Sequence, residues 1–118
     1  MAATKSSVVS LASSSNAAAA TTNSATLNLS TAYGAVFTGA MTNSASAPTL
    51  PCVATCQISA DGTTFDTWQA ATASIAASTV TPFAFEVPMH AIQARVSFSG
   101  NTGQAVTVVC RAQYTTAI

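Results

Sequence analysis

One stretch of this chain after another alternates apolar and polar residues with a period of two, and that pattern limits the fold more than any other feature. In "TLNL" (Thr26 to Leu29), Leu27 and Leu29 alternate with polar partners. "AYGAVFTGAMTN" (Ala32 to Asn43) sets Tyr33, Ala35, Phe37, Gly39 and Met41 on one face, and "CVATCQIS" (Cys52 to Ser59) does the same with Cys52, Ala54, Cys56 and Ile58. "FAFEV" (Phe83 to Val87), "IQARVSFSG" (Ile92 to Gly100) and "AVTVVCRAQY" (Ala105 to Tyr114) continue the alternation. Side chains at i and i+2 share one face of a strand, so these segments predict half-buried antiparallel strands, apolar inward and polar outward. With no convincing helix, the fold class expected is all-β: an antiparallel β-sandwich on a jelly-roll or immunoglobulin-like path.

The turns fall between those runs. Asp61-Gly62, inside "QISADGTTFDTWQ", and Gly100-Asn101-Thr102-Gly103 both read as hairpins. Pro48 and Pro51 bracket a loop before the Cys52 strand, and Pro88 makes "PMHA" a corner. Ala70 to Thr79 fits either a weak strand or a helical turn. Residues 1–23, rich in Ser, Ala and Asn, read as an N-terminal arm or linker carrying an edge strand, and residues 24–118 as the sandwich domain. The arm, Ala2 to Ala20, is expected to lie along a neighbouring subunit by strand addition. As a secretion signal it is weak, because Val8-Val9-Ser10-Leu11-Ala12 is short and broken by Ser10.

Only 5% of residues are charged, against a usual share near ~25%. Three basic and three acidic side chains cancel. This excludes an electrostatic footprint for nucleic acid or an anionic membrane. No apolar run approaches the ~20 residues of a spanning helix. A neutral, hydroxyl-rich surface suits a chain packed in an assembly or exposed outside a cell, since a free cytosolic monomer relies on surface charge to stay apart from its neighbours.

Cys52, Cys56 and Cys110 are odd in number, which argues against a complete disulfide framework. On one strand Cys52 and Cys56 would stand about 13 Å apart, beyond the roughly 7 Å a disulfide spans. With one His and no close CxxC pair, zinc is not expected, and the thiols read as small buried hydrophobes. The order Cys56, Trp68, Cys110 matches an immunoglobulin domain, but Val108 stands two residues before Cys110, where that family has its corner Tyr. A generic sandwich is the better reading.

Catalytic chemistry finds little support. Asp61 and Asp66 are paired carboxylates in sequence, yet a glycosidase needs one in an apolar pocket and the other across a cleft, which a hairpin does not offer. Asp61 is read as a turn residue. His90 has no evident Ser-His-Asp partner, and no Ser stands in a Gly-x-Ser-x-Gly elbow. No enzyme activity and no cofactor are expected. Trp68 fits a sugar-stacking platform, but more readily closes one end of the sandwich core.

The stretches "NLSTAYGAVFTGAMTNSASAP", "CQISADGTTFDTW" and "IQARVSFSGNTGQAVTVVCRAQYTTAI", in that order, resemble a family of small tailed-bacteriophage virion proteins. The match covers Leu27 to Ile118; the three cysteines and Phe65 depart from the family pattern. The resemblance implies a virion structural protein: a capsid decoration (cement) protein stabilising the head, or a neck or tail component. Its implied partners are the major capsid protein or other virion subunits and its own copies, with a trimer favoured. Its implied location is the virion, assembled in the host cytoplasm. A carbohydrate-binding module using Trp68, with Phe65 and Tyr33, is the alternative of a different class, followed by a secreted adhesin or pilus subunit. Arg95 and Arg111, expected outward on adjacent late strands with either Glu86 or a carboxylate of a partner subunit between them, are the candidate partner contacts, together with Trp68.

Overall fold

A computed structural model describes residues 3–118. Met1 and Ala2, which open the expected arm, lie outside the described residues. The strands are β1 (Thr4–Lys5), β2 (Val9–Asn16), β3 (Thr22–Asn23), β4 (Leu27–Asn28), β5 (Ala35–Asn43), β6 (Val53–Ser59), β7 (Asp66–Thr72), β8 (Val80–Val87), β9 (Gln93–Ser99) and β10 (Val106–Ala117). The pairings are antiparallel, and the strands form two sheets.

In one sheet β10 lies between β5 and the β1–β2 pair, and β5 pairs on its other side with β8. In the other, β9 lies between β6 and the β3–β4 pair, and β6 pairs with β7. Counting β1–β2 and β3–β4 as one position each leaves eight, ordered 1-8-3-6 and 2-7-4-5. That is the jelly roll, two Greek keys folded into a sandwich, and not the immunoglobulin path.

The core is the set that period-two reading places inward. Phe37, Met41, Cys52, Cys56, Val96, Phe98, Val106, Val108 and Cys110 are buried. Phe83 packs on Phe85 at 5.3 Å and on Phe98 at 5.8 Å between ring centres, so aromatic contacts join the two sheets. Burying a side chain such as Phe37 stabilises the fold by about 1.5–3 kcal/mol.

Three expectations change. Gly100 to Gly103 is not a hairpin: β9 and β10 lie in opposite sheets, and the segment crosses from one to the other. The chain from residue 4 onward also does not stand apart from the sandwich or wait for a neighbour. β2 pairs with β10 of its own chain from Val9↔Ala112 to Val106↔Asn16, and β3 pairs with β9. β2 is an edge strand, as read, with Leu11 and Ala12 packed on the core. Finally, Ala70 to Thr79 divides: β7 runs to Thr72, and a loop over 73–79 crosses to β8.

The Asp61 turn is a hairpin, and its chemistry is visible. The Asp61 carboxylate accepts from the Thr64 and Thr63 backbone N–H groups at 2.7 and 2.8 Å and from the Ser59 hydroxyl at 3.1 Å. Those bonds, to Thr64 first, hold its pKa down to about 2 from an ordinary 3.8. The folded-state pKa is depressed, so the stabilisation is complete above about pH 4 and lost as the pH falls through about 2. Asp61→Ala should therefore lower the urea midpoint at pH 6 and leave it nearly level with the parent near pH 2. An equal difference at both pH values would remove the carboxylate from this role.

Candidate functional site: the gap between the β7 and β8 edges

The two sheets end side by side in edge strands β7 and β8, and Trp68 stands in the gap. Its position comes from a β-bulge. Cys56 pairs with Gln69 and Gln57 with Thr67, so Trp68 is the residue left without a partner. A bulge re-aims the side chain it carries, and here the indole Nε1–H donates to the Glu86 carbonyl on β8 at 2.8 Å. The sequence expectation that Trp68 closes one end of the sandwich core is corrected. Trp68 is 46% exposed, beside Tyr33 at 45% and Met89 at 49%.

Clefts open on both sides of the indole. One, of about 440 Å³, is lined by Trp68, Tyr33, Gln69, Glu86, Pro88 and Met89. The other, of about 350 Å³, is lined by Trp68 with Ile58, Asp66, Thr67, Pro88 and His90 among others. A smaller space of about 200 Å³ continues past Tyr33 and Glu86 to Lys5 and Gln113. Tyr33 reaches this region because Gly34, at φ +90°, turns the chain just before β5, and a Cβ there would lie 2.9 Å from the Val87 carbonyl oxygen.

The structure brings Tyr33 to Trp68 but not Phe65. Phe65 lies under the Arg95 guanidinium, whose central carbon is 4.1 Å from the ring centre. Arg95 Nε also donates to Gln57 Oε1 at 2.8 Å, which ties β9 to β6 and to the hairpin loop. Arg95 is thus engaged within the chain. The expectation that it neighbours Arg111 on an adjacent strand is corrected: β9 and β10 belong to opposite sheets, so the two charges point from opposite faces of the sandwich. Arg95, Arg111 and Trp68 occupy three separate places.

Arg111 stands on the outer face of the β2–β10–β5–β8 sheet, and the register writes that face out. Ser15, Thr107, Thr42 and Val80 form one cross-strand row, and Ser13, Val109, Ala40 and Pro82 the next. Ser10, Arg111, Thr38 and Ala84 follow, then Gln113, Val36 and Glu86. Its first three rows carry small or apolar side chains and one exposed cation, Arg111, while the fourth ends in the exposed carboxylate of Glu86, with Lys5 of β1 beside Gln113 at the same end.

The cysteines are free thiols, all buried. Burial pushes Cys56 and Cys110 up to about 12, and it raises Cys52 as well. They therefore stay protonated and act as packing groups. Among the described residues no group of three or more His, Cys, Asp or Glu could hold a metal ion. No helix is long and apolar enough to cross a membrane. Asp66 and His90 line one cleft, but Ser59, at its inner end, has its hydroxyl committed to Asp61 and to the Gly62 N–H.

Sequence reasoning missed a buried amide pair. Asn16, ending β2, and Asn101, in the β9–β10 crossover, are both fully buried. Asn16 Nδ2 donates to Asn101 Oδ1, and Asn101 Nδ2 donates to the Asn16 and Gln104 carbonyls at 3.1 and 2.9 Å. In sequence one Asn opens an alanine run and the other sits in a turn motif, so neither carries a mark of burial.

No family model matches this chain, and no curated protein matches it. Solved structures share its fold. The PBSX exported protein XepA superposes with a TM-score of 0.61 at 14% identity, over 94% of this chain and 37% of XepA. The chain thus spans little more than a third of that protein. A structure of the infectious bursal disease virus Gx strain gives 0.58 at 16% identity, over 92% of this chain and 31% of that one. The SPBc2 prophage-derived protein YomS gives 0.50 at 9% identity, over 98% and 96%. The likeness is one of β-sandwich architecture.

Proposed function

We propose that this chain is a non-enzymatic structural subunit of a bacteriophage particle. Within that class, a decoration protein on the head is favoured over a neck or tail component. The observation that carries the reading is the outer face of the β2–β10–β5–β8 sheet, whose first three rows hold small or apolar side chains and a single charge, Arg111. Small Ser, Thr, Ala and Val side chains lose little conformational freedom when covered. A face of this kind can seat on a capsid or tail subunit over a broad area without burying unpaired charge. Arg111 then supplies register through one carboxylate of the partner. Many copies multiply modest contacts by avidity, and association as a homo-oligomer, a trimer first among the candidates, would bring several such faces onto one particle. A virus structure and a prophage-derived protein among chains of similar fold are consistent with this class.

The test is co-sedimentation with isolated phage heads and, separately, tails, with light scattering to give the mass of the free protein. Stoichiometric pelleting with heads is expected. Arg111→Asp should weaken it about tenfold or more at an unchanged melting temperature. A protein that stays in the supernatant with both heads and tails would overturn the proposal.

A further inference from the structure

The gap between β7 and β8 adjoins the fourth row of the β2–β10–β5–β8 outer face at Glu86, and its chemistry is different. We propose that Trp68 is the platform of a binding site for a neutral oligosaccharide, with one sugar unit in each flanking cleft. The chain has a single Trp and an interior built for large aromatics, yet a bulge places that Trp outside, at an edge. The ring is held there by its own N–H on the Glu86 carbonyl, so a ligand meets it already oriented.

Sugars present an apolar C–H face ringed by hydroxyl groups. The site offers the complement: an aromatic surface with polar side chains at its margins. Glu86, Gln69 and Tyr33 line one cleft and Asp66, Thr67 and His90 the other. Carboxylate and carboxamide oxygens accept from sugar hydroxyls, while the indole and Met89 cover the C–H face. Both volumes, about 440 and 350 Å³, fall in the range of small-ligand sites.

Other occupants fit less well. A peptide adding a strand to β8 would need the Glu86 carbonyl, which the indole already occupies. It would also meet Pro82, which has no N–H. An anionic ligand would face two carboxylates, and Lys5 lines only the space beyond Tyr33. A second copy meeting this surface about a two-fold axis would set Glu86 and Asp66 toward their own counterparts, like charge against like. The same carboxylates select neutral sugars over sialylated or uronate ones.

The experiment uses the full chain. It is applied to a glycan array, and Trp68 emission is then followed on titration with cello-, chito- and malto-oligosaccharides, with a polygalacturonate oligomer as the acidic control. Retention of neutral glycans is expected, with saturable change in the emission of the sole Trp. By calorimetry Trp68→Ala should lose about tenfold or more in affinity while staying folded at the assay temperature, because the side chain is outside the core. Glu86→Ala should weaken binding with the ring still in place. The proposal fails if no neutral glycan on the array is retained, or if Trp68→Ala binds as well as the parent. It also fails if light scattering finds a dimer that Trp68→Ala dissolves, which would make the surface a contact between copies. Co-sedimentation with particles is tested through Arg111, which lines neither cleft, so either proposal can fail alone.

Discussion

Gly39→Ala should destabilise the protein by about 3 kcal/mol or more, at the upper end of what overpacking costs. A Cβ built on Gly39 would lie 1.9 Å from the Val109 carbonyl oxygen on β10 and 2.7 Å from Phe83 Cζ on β8. The first obstacle is backbone in the middle of the sheet, so relief requires β5 and β10 to separate where Gly39 pairs with Cys110. The second is the tip of a buried ring, which fills the space the missing side chain leaves. Against a total stability of about 5–15 kcal/mol, the loss should move the urea midpoint down by about 1–3 M. Adding Phe83→Leu removes the ring contact but not the backbone one, so it should not restore stability. A midpoint within about 0.5 M of the parent would mean the strands yield more readily than their pairing implies.

The second large effect is expected from Asn101→Leu, which keeps the volume and removes the amide. It takes away one acceptor of Asn16 Nδ2 and the donor to the Asn16 and Gln104 carbonyls. A buried polar group left without its partner costs about 1–3 kcal/mol, so a loss near 3 kcal/mol is expected. Asn16 keeps its contacts to the Ala20 carbonyl and the Thr22 hydroxyl, so the two amides should couple without being equivalent. In a double-mutant cycle with Asn16→Leu, an interaction energy of about 0.5–3 kcal/mol is expected. Strict additivity would mean that each Asn is held by its other partners and that the pair is incidental.

The inward faces of the strands were legible in the sequence because alternation reports which side of a strand is dry. Phe37, Met41, Cys56, Val96, Phe98 and Val108 all lie where period two places them. Which strand neighbours which was less legible. The inner faces of the two sheets have the same apolar character, so Gly100 to Gly103 could join β9 to β10 within one sheet or across two, with identical turn chemistry. That ambiguity also misplaced Arg95 relative to Arg111. Trp68 escaped for another reason: a bulge shifts the register by one residue and reverses every inference about facing beyond it. Asn16 and Asn101 escaped because a polar residue reads as exposed unless its partner is known, and here the partner is 85 positions away.

The place of β10 in the sheet has a consequence for the order in which this chain can mature during synthesis. β2 takes its strand pairing, and β5 takes one of its two, from β10 at the far end of the sequence. Until residues 106–117 leave the ribosome, β2 has no strand to pair with and β5 has only β8. Closing a sheet across so many residues is entropically slow. Meanwhile Phe37 and Met41 face a half-built interior, and the open flank of β5 is exposed to the equivalent strands of other nascent chains. The strand that completes the sandwich is therefore also the one that ends its exposure to aggregation.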